Sequence, residues 1–387
     1  MPAGATARAG AAKPRLLVVT PDFPPARGGI QTLIGGLVAG LDGFDVSVVA
    51  AHTDGAPGFD ARSGMRTLRV PAPRRLRGAR HVPLNAALLR EARAFRPDVC
   101  LAGHIVTSPA TGALARLSGT PTAQYFHANE IVDKPRLAAR AARTAAVSIV
   151  ISGYTADLLR RVAPDAGDVR RIPPGIALSA ASERAADAAA AAAEAAAPTF
   201  VTVSRLAAAY KGHDVLLRAL PAVREQVPGA TWVVIGDGPL RPVLEAQARA
   251  AGLGGAIRFL GEVTDSERDS WLARADVLAM PSRLPGGRVA GEGFGIVFME
   301  AAAFGTPSLG GNAGGTVDAV VDGETGLLVD PADDAAVAAA LVRLLSDREL
   351  ARRLGAAAAA RAREFAWPVI CGRVEEVLRE LVSRRAS

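Results

Sequence analysis

Short runs of apolar and β-branched residues recur along the chain, separated by longer stretches whose apolar positions follow a helical period. The first half offers "RLLVVT" (15–20), "DVSVVA" (45–50), "VCLAG" (99–103), "TAQYFH" (122–127) and "VSIVIS" (147–152). The second half offers "FVTVSRL" (200–206), "WVVIGDG" (232–238), "IRFLGE" (257–262), "VLAMPS" (277–282) and "GLLVD" (326–330). Helical candidates such as "HDVLLRALPAVREQV" and "DDAAVAAALVRLLSD" lie between them. Strands that are apolar throughout, rather than alternating, predict parallel sheets covered on both faces. Residues 182–198, "SERAADAAAAAAEAAAP", have no apolar period beyond alanine and read as a linker between two similar α/β units. Such units bind ligands at the carboxyl ends of their strands, and a pair of them encloses a cleft.

Composition agrees with two domains, since 387 residues, 50% of them hydrophobic, are long for a single core. The two cysteines, Cys100 and Cys371, form no CxxC-type pair, which argues against a disulfide framework or structural zinc. No run of about 18 uncharged apolar residues is present to span a bilayer. The opening "MPAGATARAGAAKPR" lacks a signal peptide's apolar stretch and reads as a disordered lead-in, so a soluble cytoplasmic protein is expected.

The net charge of +7 suits an anionic partner. With 4% aromatic residues and no zinc finger or comparable motif, nucleic acid is not expected to be that partner. Between Arg62 and Arg96 there are ten arginines and one acid, Glu91, which is either a solvated arginine-rich face or a surface for anionic lipid.

Candidate chemistry concentrates in "GEGFGIVFMEAAAFGTP" (291–307). Gly293 and Gly295 allow a close backbone approach to a ligand. A helix is expected to start near Gly295 and stop at Gly305, so its first amides and its dipole favour a phosphate. Glu292 then precedes the helix and Glu300 lies within it, at different parts of one extended ligand. Taken alone, the two acids read equally well as a solvated loop residue and a helix-surface residue. "VSRLAAAYKGHD" (203–214) places Arg205 and Lys211 after a strand, where a guanidinium and an ammonium suit a diphosphate. "PDFPPARGGIQTL" (21–33) sets Gly28 and Gly29 at a helix start without the GxGxxG of a nicotinamide dinucleotide site. "YFHANE" (125–130) brings His127 to the end of another strand, as a packed residue or a catalytic one.

Together these residues resemble the retaining family-4 glycosyltransferases of the GT-B fold, from about Arg15 to the C-terminus. The two glutamates with seven residues between them, followed or preceded by "SRL…KG", "GDGP", "GGNAGG" and "DGETGLLV", stand in that family's order. "MPSRLPGGRVAGEGFGIVFMEA" is similar to the phosphatidylinositol mannoside mannosyltransferases of actinobacteria. The resemblance implies two Rossmann-like, doubly wound parallel-sheet domains facing a cleft. Residues 1–181 would form an acceptor-binding domain, completed by a crossover helix over 366–387, and 199–365 a nucleotide-sugar domain.

The resemblance also assigns roles. Arg205 and Lys211 neutralise the donor's diphosphate, Glu292 holds the sugar hydroxyls and Glu300 the ribose. Gly293, Phe294, Gly295, Ile296 and Val297 contact sugar and phosphates through their amides. Gly28 and Gly29 approach the diphosphate, and His127 matches an active-site histidine beside the donor sugar. Asn129 stands where relatives often carry a second histidine. No cofactor and no metal are expected, and no DxD motif is apparent near these loops. The leading expectation is transfer of mannose from GDP-mannose to a phosphatidylinositol-type glycolipid, with peripheral contact on the inner face of the plasma membrane. Transfer from a UDP- or GDP-sugar to a small natural-product acceptor is the alternative. Two further readings are a sugar-nucleotide 2-epimerase, which shares the fold but takes no acceptor, and a non-catalytic nucleotide-sugar binding protein, against which the retention of Arg205, Lys211, Glu292 and Glu300 together argues.

Overall fold

The computed structural model describes residues 12–71, 80–178, 197–284 and 291–386. Most of the linker, most of the N-terminal lead-in, Arg74, Arg75 and Arg77 of the arginine-rich stretch, and residues 285–290 lie outside them.

Two sheets carry the fold. The first comprises β1 (Arg15–Thr20), β2 (Asp45–Ala51), β3 (Arg66–Val70), β4 (Val99–Ala102), β5 (Thr122–Phe126), β6 (Val147–Val150) and β7 (Asp168–Arg171), in the order β3-β2-β1-β4-β5-β6-β7. The second comprises β8 (Thr199–Val203), β9 (Thr231–Ile235), β10 (Ile257–Gly261), β11 (Val277–Met280), β12 (Ser308–Gly311) and β13 (Gly326–Val329), in the order β10-β9-β8-β11-β12-β13. β1 pairs in parallel with β2 and β4, and β8 in parallel with β9 and β11. Each sheet therefore reverses its winding direction beside its first strand, the doubly wound pattern, and the crevice at that reversal is where such folds take ligands.

The reading of unbroken apolar runs as doubly covered strands holds at β1, where Leu16–Val19 are fully buried, and at β11, where Val277–Ala279 are. Three strands were not anticipated: β3 "RTLRV", β7 "DVRR" and β12 "SLGG". The first two end the first sheet and carry charged residues on partly exposed backbone.

By contact, the described residues fall into two compact units, one drawn from Met1–Tyr125, Arg140–Ser148 and Cys371–Ser387, the other from Phe126–Ala139 and Ile149–Ile370. In the first, the final helix, Trp367–Ala386, supplies buried Cys371, Val374, Leu378 and Leu381. Its Arg385 donates to the carbonyls of Pro97 and Asp98 at 2.8 and 3.1 Å. In the second, Phe200 stacks on the buried indole of Trp232 with ring centroids 5.8 Å apart. The Trp232 Nε1–H donates to Thr202 Oγ1 at 3.0 Å, and that hydroxyl donates to the Ala279 carbonyl at 2.6 Å. A fully satisfied polar chain of this kind ties β8 to both neighbours at little cost.

Candidate active site

The carboxyl ends of β8, β9, β11 and β12 converge on the motifs singled out above. After β8 the chain runs through Ser204, Arg205 and Leu206, against which the glycine turn after β9 is packed. Gly236 (φ +121°) and Gly238 (φ +153°) sit where any Cβ would overlap the carbonyl oxygens of Ser204 and Leu206. Leu206 N–H donates to the Asp237 carbonyl at 2.9 Å, closing the contact. This is the physical content of "SRL" and "GDGP": two turns in backbone contact, with Arg205 left exposed.

Lys211 ends a short 3-10 turn, Ala209–Lys211, and its ammonium is ion-paired and hydrogen-bonded to the Glu292 carboxylate. Burial is the largest single influence and pulls the Lys211 pKa down, but the Glu292 charge, Tyr210 and the hydrogen bond to Glu292 together outweigh it and hold the group above its ordinary value. The cation is therefore retained at neutral pH despite its enclosure. Arg205 is near enough for its charge to act on Lys211 in the opposite sense. Next in sequence, His213 is buried, its Nε2 3.0 Å from Ser204 Oγ. Burial, followed by the Lys211 charge, lowers its pKa to about 4, so the ring is neutral at physiological pH.

Gly291 to Gly295 form the loop that precedes helix Ile296–Ala303, with Gly295 in the left-handed region at φ +87°. The helix thus begins and ends close to where the sequence indicated, Phe294 and Val297 facing inward and Ile296 half-buried. First-turn N–H groups have no place in a helix's own i→i−4 ladder; here the Phe298 N–H turns back onto the Gly295 carbonyl at 3.0 Å, and the amides ahead of it are the ones this helix end can offer an acceptor. "GGNAGG" supports the loop from beneath: Gly315 N–H donates to the Glu292 carbonyl at 2.7 Å, and a Cβ on Gly315 would overlap the Gly293 carbonyl.

Glu300 lies one further turn along that helix, and its Oε1 is 3.6 Å from Arg268 Nη1. Burial raises the Glu300 pKa, Arg268 opposes the rise, and Asp269 and Asp265 add to it. Sequence reading missed Arg268 because "DSERDS" looks like a solvated charge run. Only the fold turns its single cation toward a residue 32 positions on.

His127 is buried at the N-cap of helix Ala128–Asp133. Its side chain accepts from the Glu130 N–H, and the Glu130 carboxylate accepts from the His127 N–H at 3.0 Å, a reciprocal capping box. The Gly293 loop lies alongside in the same unit: a Cβ on Gly293 would be 3.2 Å from Ile151 Cδ1 and 3.6 Å from Ala128 Cβ. Arg205, Lys211, Glu292, Gly293–Val297, Glu300 and His127 thus all belong to the second unit. Gly28 and Gly29 belong to the first, where Gly28 is the N-cap of helix Gly29–Gly40. Among the described residues, no three His, Cys, Asp or Glu side chains gather as a metal-ligating group.

Known proteins resemble this chain in sequence and in fold. The model of the glycosyl transferases group 1 matches residues 184–361, and that of glycosyltransferase family 4 matches residues 27–180. A GDP-mannose-dependent alpha-(1-6)-phosphatidylinositol monomannoside mannosyltransferase of Mycobacterium tuberculosis is 33% identical over 386 residues, spanning 94% of this chain and 98% of the relative. A monoacylated-substrate counterpart from Corynebacterium glutamicum is 29% identical over 94% of this chain and 97% of its own length. Among solved structures, sucrose-phosphate synthase from Thermosynechococcus elongatus superposes with a TM-score of 0.80 at 23% identity, covering 96% of this chain and 100% of that one. Anabaena HepE, solved with UDP and glucose, superposes with a TM-score of 0.74 at 18% identity over 94% of this chain and 99% of that one. The two doubly wound sheets are those of the GT-B fold, and the chain belongs to the family-4, group 1 glycosyltransferases.

Proposed function

We propose that the protein transfers mannose from GDP-mannose to a hydroxyl of a phosphatidylinositol-type glycolipid, with retention of anomeric configuration and without a metal ion. The observation that carries the reading is the Lys211–Glu292 pair at the mouth of helix Ile296–Ala303, next to Arg205. It sets cationic and amide donors for a diphosphate beside a carboxylate for sugar hydroxyls. The choice of mannose and of a lipid acceptor is supported by the activities for which the mycobacterial and corynebacterial relatives are named.

In the proposed reaction Arg205, Lys211 and the amides of Gly293–Val297 hold the diphosphate. Glu292 accepts hydrogen bonds from the mannosyl hydroxyls, Glu300 from the ribose, and His127 lies beside the sugar. The bond from the sugar's anomeric carbon to the diphosphate oxygen breaks as charge accumulates on that oxygen, where the fixed cations stabilise it. The acceptor oxygen attacks from the same face, and its proton passes to the departing phosphate oxygen. GDP and the mannoside result, and no protein carboxylate is needed as a general base.

The acceptor implies a membrane surface. Arg62, Arg80, Arg90, Arg93 and Arg96 are exposed, whereas Arg66 is paired with Glu91 at 2.9 Å, and Arg69 is held by Asp60 at 2.8 Å and is not available to lipid. No described helix is long and apolar enough to cross a bilayer, so the proposed contact is peripheral.

The test supplies GDP-mannose, UDP-glucose and ADP-glucose in turn, with vesicles containing phosphatidylinositol or its monomannoside, in the presence of EDTA. GDP-mannose alone should be consumed, only with lipid acceptor present, giving an α-mannoside by NMR. Conversion of a donor without acceptor indicates an epimerase. Preference for UDP-glucose, or loss of activity in EDTA, overturns the donor or the metal-free reading respectively.

A further inference from the structure

The loops that carry Lys211 and Glu292 are fastened to each other at a second place, away from that pair. Asp214 lies in the first turn of helix His213–Gln226, and Arg283 follows β11 on the way to Glu292. Arg283 Nη1 donates to Asp214 Oδ1 and Nη2 to Oδ2, both at 2.9 Å, a bidentate fork that fixes plane as well as distance. The backbone joins the same loops: Arg283 N–H donates to the Tyr210 carbonyl at 2.8 Å. Gly212, at φ +82°, lies so close to Pro281 that a Cβ would overlap the proline's carbonyl oxygen. Asp214 also accepts from Arg218 Nη1 at 3.1 Å, and Arg218 is itself held by Asp334 at 2.7 and 3.0 Å. The fork therefore sits on a braced support.

We propose that Asp214 and Arg283 are positioning residues for sugar transfer. Paired, they set the spacing between the Lys211 turn and the Glu292 loop, and so between the diphosphate ligand and the sugar ligand. The inference rests on the donor-site reading above. β8 and β11, which lead into the two loops, flank the reversal of winding in the second sheet. The fork spans the crevice that this reversal opens. A misplacement of about 1 Å at a reacting centre costs on the order of 100-fold in rate, while charge–charge attraction to a diphosphate falls off far more gently with distance. Loss of the fork is therefore felt in turnover before it is felt in nucleotide affinity.

Asp214→Asn and Arg283→Lys each remove the fork with little change in side-chain size, and Arg283→Lys also keeps the charge. Each should lower kcat by about 10- to 100-fold, with the affinity for GDP or UDP changed by less than about threefold. The double variant should be no slower than the slower single one, as expected of two residues acting as one device. Amide exchange at Gly212 and Arg283 should quicken in both singles, with no ligand present. Single variants that turn over within about threefold of the wild type, losses that multiply in the double, or unchanged exchange at those amides would each overturn the proposal. So would parallel loss of thermal stability and nucleotide affinity, which marks a merely structural ion pair. Failure of the wild type to bind GDP or UDP would instead refute the donor-site reading, with the exchange comparison still deciding whether the fork holds the loops.

Discussion

Lys211 and Glu292 were each read from the sequence as ligands of a donor, and the fold pairs them with each other. The two are 81 positions apart, and nothing local to either could have shown the contact. The pairing sharpens what a substitution does. Removing one partner strands the other's charge in a partly enclosed site, whereas removing both does not. Glu292→Gln and Lys211→Met should each reduce transfer at least about 100-fold. The double variant should unfold at a temperature no lower than the less stable single, as read by thermal denaturation. His213 makes a second expectation at this scale. Its pKa of about 4 in the fold lies below the ordinary 6.5, so the unfolded chain binds the extra proton first as pH falls. Stability attributable to His213 is whole above pH 6.5 and declines toward pH 4, by up to about 3 kcal/mol. The difference in unfolding free energy between wild type and His213→Gln, followed over that range, should show this slope, and a flat difference would remove it.

Elements divide by how much of their reason is local. Strands such as β1 and β11 were legible because burial on both faces demands unbroken apolar sequence. β12 was not, because "SLGG" meets the opposite demand: a Cβ on Gly311 would overlap the Ser282 carbonyl oxygen, and one on Gly310 would stand 2.6 Å from Thr316 Cγ2. Closeness of neighbouring atoms selects glycine there against β propensity. The helix Ile296–Ala303 was legible from its flanking glycines and Pro307, and the acids it positions were found with it. Arg268, Asp214 and Arg283 were not, since long-range ion pairs leave no periodic trace. The helix Val82–Phe95 bears the element-scale prediction. Arg90 and Arg93 share its exposed side, while Glu91, one position away, is occupied by Arg66 at 2.9 Å and by Ser47. Each cation near an anionic surface is worth about 1 kcal/mol. Arg90→Gln with Arg93→Gln should therefore weaken co-sedimentation with phosphatidylinositol vesicles roughly 30-fold, leaving GDP binding as it was. Unaltered sedimentation would remove this helix from the lipid-facing surface.

At the scale of the molecule, two parallel sheets could be anticipated from alternation alone, and the family's motif order extended that to a GT-B enzyme. What the order of residues conceals is how the chain is shared out, because membership of a compact unit depends on contact rather than on sequence position. The first unit takes its last buried side chains, Cys371, Val374, Leu378 and Leu381, from the far end of the polypeptide. Gly40 is glycine for that reason: a Cβ there would stand 2.6 Å from Cys371 Sγ. A chain ending at Ile370 should lose cooperative unfolding of the first unit while the second keeps its transition, as seen by calorimetry. During synthesis the same dependence sets a timetable. The ribosome releases the opening strands early, yet their unit stays unfinished until the segment from Cys371 onward has emerged, and a nascent chain stalled before Cys371 exposes an apolar seam around Phe44 to chaperones.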